Sequence, residues 1–292
     1  MVGNRTACFP LRVGSATHTG RERSTNEDRL LADAEQGLFL IVDGMGGHAA
    51  GEVAAEVARD VIRGSFEKRL SDPEPAIRRA VTEANNQIYA LAEQNPAWRG
   101  MACVLTLLVV EQESVAWGHV GDSRLYRFSE GKLRKLTSDH SPVGLQEEQG
   151  LLAERAAMRH PDRNQVFRDV GSKRRSFDEV DFVETSTISF SPNDAFLLCS
   201  DGLSDALTTA EIAALISSCG TDPQRTAQSL VAAANERSGA DNISVLFLAG
   251  PEFESGNESR LLSRHAVTRV RLVRKPRLID RISAQLKEWM RK

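Results

Sequence analysis

Long apolar runs are missing from this chain. No stretch approaches the ~18–20 consecutive apolar residues that a membrane span needs, and Met1 to Pro10 lacks the apolar core of a signal peptide. Cysteine is scarce: Cys8, Cys103, Cys199 and Cys219 show no paired spacing, and Cys103 and Cys199 fall inside apolar runs, as buried thiols do. A disulfide framework is therefore not expected, and a reducing, cytoplasmic setting is. Excess positive charge is absent too. The net charge is −3, which argues against a dedicated nucleic-acid binder. No Gly-x-Ser-x-Gly elbow occurs, so no serine nucleophile announces itself. With 41% apolar and 26% charged residues in 292, the remaining composition is that of an ordinary globular chain with room for one large domain.

What is present is acid at the edges of apolar strands. Phe39-Leu-Ile-Val-Asp-Gly-Met-Gly-Gly47 runs from an apolar strand into Asp43 and three glycines in four positions, where backbone or a small ligand can approach closely. Phe196-Leu-Leu-Cys-Ser-Asp-Gly202 repeats the arrangement with Asp201. Asn26-Glu-Asp28 precedes the strand-like Leu30-Leu-Ala32, and Asp241-Asn242 precedes Ile243 to Leu248. Each alone reads as a turn or cap. Together Asp28, Asp43, Asp201 and Asp241 suggest one cluster of oxygen ligands at the edge of a β-scaffold, where a divalent cation would offset the repulsion of like charges. An all-oxygen set suits Mg2+ or Mn2+ rather than zinc.

The patterning fills in the rest. Val13 to Thr19 and Leu38 to Val42 read as strands. Gly51 to Ile62 reads as a helix with Val53, Val57 and Val61 on its face; Pro73 and Pro75 interrupt, and a second helix runs from Ala76 to Glu93. Met101 to Val110, Ser114 to His119, Ser123 to Phe128 and Lys132 to Leu136 look like one meander. A short helix is expected near Gln146 to Met158, strands over Val180 to Phe190 and Ala195 to Cys199, helices over Thr209 to Ser218 and Asp222 to Arg237, and a last strand over Ile243 to Leu248. Grouped strands and grouped helices imply an α+β layered sandwich. Residues 251–292 stand apart. They carry 11 Lys or Arg against 5 Asp or Glu, a net charge of +6, and Arg277 to Arg291 has the spacing of a basic amphipathic helix. That extension is either a packed or solvated tail or a docking element for an acidic protein or a membrane surface.

Five pieces in order, Gly20-Arg-Glu-Arg-Ser-Thr-Asn-Glu-Asp28, Val42-Asp-Gly-Met-Gly-Gly-His48, Gly121-Asp-Ser-Arg124, Leu198-Cys-Ser-Asp-Gly202 and Gly239-Ala-Asp-Asn242, resemble the motifs of the bacterial-type metal-dependent protein phosphatase 2C family. The resemblance spans about Leu11 to Ala249. It implies a catalytic domain over 11–250 with a four-layer α-β-β-α sandwich. It also implies hydrolysis of phosphoserine and phosphothreonine on proteins, by a hydroxide bridging two Mn2+ or Mg2+ ions and with no phosphoenzyme. Under it Asp43 bridges two ions, the Gly44 carbonyl adds a ligand, and Asp201 and Asp241 complete one shell. Asp28 and Glu27 act on the other side through waters, with Asn242 behind the ligands. Asp122 either holds a third, weaker ion with Asp201 or is a turn residue. Arg23, five residues before Asp28, matches the phosphate-gripping arginine. Where many eukaryotic members have a histidine after Asp-Gly, this chain has Met45. His48 is the bacterial-type alternative for the general acid, or it only braces the loop. His140 to Lys173, with His160 and Arg163, corresponds to a variable flap beside the site. Met101-Ala-Cys-Val104 departs from the usual Gly-Thr-Thr-like stretch, with repacking as the expected consequence.

The resemblance also implies partners: phosphorylated proteins and an opposing Hanks-type kinase, in growth control, stress responses or type VI secretion, with the chain acting as a monomer. The competing readings are a phosphatase of a phosphorylated anti-sigma antagonist, a catalytically silent metal-binding module, and a nucleic-acid binder working through the basic tail. None of the metal carboxylates is missing, as the silent module would require.

Overall fold

The computed structural model describes residues 11–46, 50–66, 72–111 and 114–254. His48 and the basic extension past residue 254 lie outside the described residues. Among the described residues, ten strands form two antiparallel sheets. One has the order β1 (Arg12–His18), β10 (Ile243–Ala249), β9 (Ala195–Cys199), β6 (Arg124–Ser129), β7 (Lys132–Lys135). The other has the order β2 (Arg29–Asp33), β3 (Leu38–Met45), β4 (Ala102–Glu111), β5 (Ser114–Val120), β8 (Glu184–Ser189).

Three apolar layers hold the sandwich. Phe39, Ile41, Leu108, Leu198 and Leu246 fill the space between the sheets. Their strand neighbours Leu38, Leu40 and Leu107 point the other way, into a core shared with α1 (Ala50–Ser65) and α2 (Pro73–Gln94). Leu197, Val245 and Phe247 do the same on the second sheet, against α6 (Thr209–Ser218) and α7 (Pro223–Arg237). Strands buried on both faces explain why β3, β4, β9 and β10 read as continuous apolar runs rather than alternating ones. This is the α-β-β-α arrangement expected.

Several local expectations change. The buried face of α1 is Ala54, Ala58 and Ile62, with Val53, Val57 and Val61 only at its margin; alanines let the helix lie closer to the sheet. Pro73 and Pro75 do not break a helix but open α2, since the first turn needs no backbone N–H from them. The single meander is two hairpins. β4 and β5 belong to one sheet and β6 and β7 to the other, and the chain changes sheet at Gly121, whose φ is +109°. The flap helix is two short pieces, α3 (Pro142–Glu148) and α4 (Glu154–Ala157). Past residue 250, Phe253 is buried edge-on against Phe128 and Phe247, with Arg12 Nη2 donating to its carbonyl. Among the described residues no helix is long and apolar enough to cross a membrane.

Candidate metal centre

The acidic residues arrive from five separate elements. β3 continues past Val42, so Asp43 sits within the strand, opposite Val104 of β4. Gly44 follows because nothing larger fits: a Cβ there would lie 2.2 Å from the carbonyl oxygen of Gly51, at the start of α1. Asp201 opens the short α5 (Asp201–Ser204) directly after β9. Gly202 is required for the same reason as Gly44, with a Cβ falling 2.1 Å from the Asn242 carbonyl. That contact seats the start of α5 against the start of β10, and so brings the Asp201 and Asp241 segments together.

Asn242 does the work of a clamp. Its Oδ1 accepts the Glu27 N–H at 2.8 Å, and its Nδ2 donates to the carbonyls of Thr19 at 2.8 Å and Thr25 at 2.9 Å. All its main hydrogen-bonding capacity thus goes into fixing the 19–27 loop that presents Arg23, Glu27 and Asp28. Asp28 is buried. Its Oδ2 accepts the Ser200 hydroxyl at 2.9 Å, and Ser200 Oγ in turn accepts the Ser244 N–H at 2.9 Å. Its other oxygen, Oδ1, is buried with no hydrogen-bond partner among the described residues.

The electrostatics are those of like charges held together. Burial, then the negative charges of Asp28, Asp201, Asp122 and Asp241, raise the Asp43 carboxyl well above its ordinary value. Burial raises Asp201 in the same way, with Asp122, Asp205, Asp241 and Asp28 adding to it. Asp28 is pushed up to about 6, mainly by burial, although Ser244 and Ser200 hydrogen bonds oppose the shift. Asp122 reaches about 7 through burial, Asp139 and Asp205. An orphaned, buried carboxylate oxygen among mutually repelling acids is a poor design for a neutral core and a suitable one for hard divalent cations.

Arg23 lies at the centre's edge, with its Nη2 2.7 Å from Asp241 Oδ2. Asp241 Oδ1 accepts the Asn242 N–H at 2.8 Å. In the flap, Arg163 Nε donates to Asp205 Oδ2 at 2.9 Å, beside the cluster, whereas His160 Nδ1 only accepts the Asp162 N–H at 3.2 Å and closes a local turn. Met101, just before β4, and Cys103 within it, the departure from the family stretch, are both buried in the helix-facing core.

Three partners were not foreseen. Ser200 and Ser244 tether Asp28, and nothing distinguishes them in sequence from other strand-end serines. The third is a trio, buried His119 and His140 with half-buried Glu184, whose ligand atoms lie within 4.8 Å of one another. His119 Nε2 has no hydrogen-bond partner among the described residues. Burial holds His119 neutral, at about 4, with His140 adding to the shift. Arg168 Nη1 already stands 3.0 Å from His140 Nε2, so a positive charge is in place there. His140 also pins the Asp122 loop: its N–H donates to the Gly121 carbonyl at 2.7 Å, and its Nδ1 accepts the Gly121 N–H at 3.0 Å.

The chain is thus a two-sheet sandwich with an aspartate cluster at one end, and the comparisons place that arrangement in a family. The family model for protein phosphatase 2C matches residues 16–233. The serine/threonine phosphatase Stp of Listeria innocua is 32% identical over 251 residues, covering 83% of this chain and 97% of the relative. The catalytic domain of the phosphatase PstP, solved in complex with two manganese ions, superposes with a TM-score of 0.73 at 28% identity, covering 82% of this chain and 97% of that one. PppA of Pseudomonas aeruginosa, described as a key regulatory component of T6SS, superposes with a TM-score of 0.71 at 30% identity, covering 83% and 98%. This chain belongs to the protein phosphatase 2C family, among its bacterial protein serine/threonine phosphatases.

Proposed function

We propose that the chain hydrolyses phosphoserine and phosphothreonine on proteins at the aspartate cluster, by direct attack of water and without a phosphoenzyme. Asp28, Asp43, Asp201, Asp241 and the Gly44 carbonyl would hold two Mn2+ or Mg2+ ions, and Asp122 with Asp201 a third. Divalent ions bound there acidify water and neutralise charge on the phosphoryl oxygens. The chain's own groups do the rest. Arg23, exposed and tied to Asp241, is free to swing its planar guanidinium onto two phosphoryl oxygens. Glu27 shares the loop that Asn242 fixes and orients water rather than binding directly. Arg163 ties the flap to Asp205. His48 protonates the departing oxygen in this reading.

The observation that carries the proposal is the buried Asp28 Oδ1 without a partner, in a cluster whose members raise one another's affinity for protons. The test is hydrolysis of p-nitrophenyl phosphate in EDTA, then with magnesium, then with manganese, beside Asp43→Asn and Asp201→Asn. Activity only with metal, lost in both variants, is expected. Folded protein that binds manganese and hydrolyses nothing overturns the reading.

The opposing enzyme in this reading is a Ser/Thr kinase. The likeness to PppA supports a kinase of type VI secretion as the first one to try. Release of phosphate from that kinase's autophosphorylated form, by a monomeric enzyme in size-exclusion chromatography, is the expected result.

A further inference from the structure

Between α4 of the flap and the C-terminal end of α7 lies a second cavity, of about 190 Å3. Three arginines line it: Arg155, Arg159 and Arg237. Asp205 and Met158 are common to this cavity and to the cleft that holds Asp122 and Asp201. The Asp205 N–H donates to the Asp201 carbonyl at 2.7 Å, so one short turn separates metal carboxylates from guanidiniums. A centre built to collect cations is thus flanked by a site built to collect anions.

The charges on the basic side do not cancel. Glu211 Oε1 lies 3.4 Å from Arg155 Nη2 and 3.2 Å from Arg237 Nη2, so one oxygen holds two guanidiniums together. Glu211 Oε2 is occupied by the Thr208 N–H and hydroxyl, both at 2.8 Å. Asp205 is taken by Arg163. Arg159 has no carboxylate within ion-pair distance among the described residues, and its side chain is exposed. Two of the three cations therefore share one carboxylate, and the third has none among the described residues. Tying the flap to α6 and α7 accounts for Arg155 and Arg237, but gives Arg159 nothing to do. Paired guanidiniums with N–H groups to spare match the oxygens of a phosphate or carboxylate.

We propose that the Arg155–Arg159–Arg237 cavity binds a second anionic group of the phosphoprotein substrate, a phosphate or a carboxylate near the phosphoresidue in the metal centre. The inference rests on the phosphatase reading above and extends it to a substrate class: segments that are multiply phosphorylated, or singly phosphorylated and acidic.

The test uses the full chain with manganese and synthetic phosphothreonine peptides. A second phosphothreonine, a glutamate or an alanine is stepped residue by residue away from the first site, and phosphate release gives kcat/KM. At one spacing the anionic peptides should exceed the alanine peptide by about tenfold, mostly through KM, as expected for a charge-assisted contact made by substrate and transition state alike. In Arg159→Ala and in Arg237→Ala the anionic-to-alanine ratio should fall to about one, with Arg159→Lys keeping part of it. The phosphate and glutamate arms tell which anion the cavity takes. Circular dichroism shows whether each variant is folded, and the ratio within one variant is independent of how much is active. Preference at no spacing, or preference unchanged in both alanine variants, overturns the proposal while p-nitrophenyl phosphate hydrolysis leaves the phosphatase reading standing. No hydrolysis of any substrate overturns both.

Discussion

Asp122 and Asp139 are both buried acids, and the fold treats them in opposite ways. Burial would raise Asp139, but Arg124 and Lys135 outweigh it and hold its carboxyl at about 2. Arg124 reaches it through Nε at 3.0 Å and Nη2 at 2.6 Å, and the same Nη2 lies 3.3 Å from Glu147. Asp122, two positions from Arg124 in sequence, has no such fork and sits at about 7. A structural acid is given its cation by the chain. Asp122, to which the proposed function gives a metal, is left without one. The difference separates residues that hold the fold together from residues that make it useful.

The sharpest way to break that comparison is to remove a charge from each side. Asp43→Asn should lower metal-dependent kcat on the order of 10^3-fold, the size of losing preorganised charge at a reacting phosphoryl group. In EDTA the same variant should melt higher than wild type by about 2–4 °C, the shift given by ~1 kcal/mol at this size. A lower melting point in EDTA would mean that the cluster is not under repulsion. Asp139→Asn should do the reverse, destabilising the protein by about 3 kcal/mol because buried Arg124 is left with only the longer contact to Glu147. Urea titration measures it, and an unchanged midpoint would remove the structural role assigned to this pair.

A smaller effect is expected from Arg23→Ala, about tenfold in KM, since an exposed guanidinium contributes binding rather than the reaction itself. Steady-state kinetics on a phosphopeptide decide it; loss in kcat alone would move Arg23 into the transition state. The smallest effect concerns pH. Asp28 and Asp122 have folded-state values raised to about 6 and about 7 from 3.8. The folded state then binds more protons than the unfolded state between those values. Their contribution to stability is complete below pH ~4 and is lost as pH rises through 6 and 7. Melting in EDTA should therefore drop by a few °C from pH 5 to pH 7.5 relative to the same scan of Asp122→Asn. Saturating manganese should shrink that drop, because it favours the ionised carboxylates.

Much of this was legible in the chain. Runs such as Ala195 to Cys199 and Ile243 to Ala249 are apolar enough to be strands buried on both faces, and they are. Helix α6 begins at Thr208 with a capping box to Glu211, a purely local signal, and its bounds match those expected. The misread places are those where a residue's meaning depends on what it packs against. Pro73 and Pro75 look like breakers until the start of α2 is placed. The alanine face of α1 is weaker in hydrophobicity than its valines, yet it is the one buried against the sheet, together with Ile62. The break between β5 and β6 follows from Gly121 turning the chain into the other sheet, which no alternation pattern records.

By itself the sequence determined which residues are acidic and that they fall at the ends or edges of buried strands, since periodicity and glycine placement are local properties. It also carried the family's motifs in order. Only the tertiary structure decided which acids meet. Ser200 and Asp28, 172 positions apart, are joined by one hydrogen bond, and Asn242 reaches back 217 positions to the Thr25 carbonyl. The tertiary structure likewise decided that Asp139 would be neutralised and Asp122 would not. Charge, burial and distance act through space, and one buried aspartate is held below its ordinary value and another raised above it according to what is folded against each.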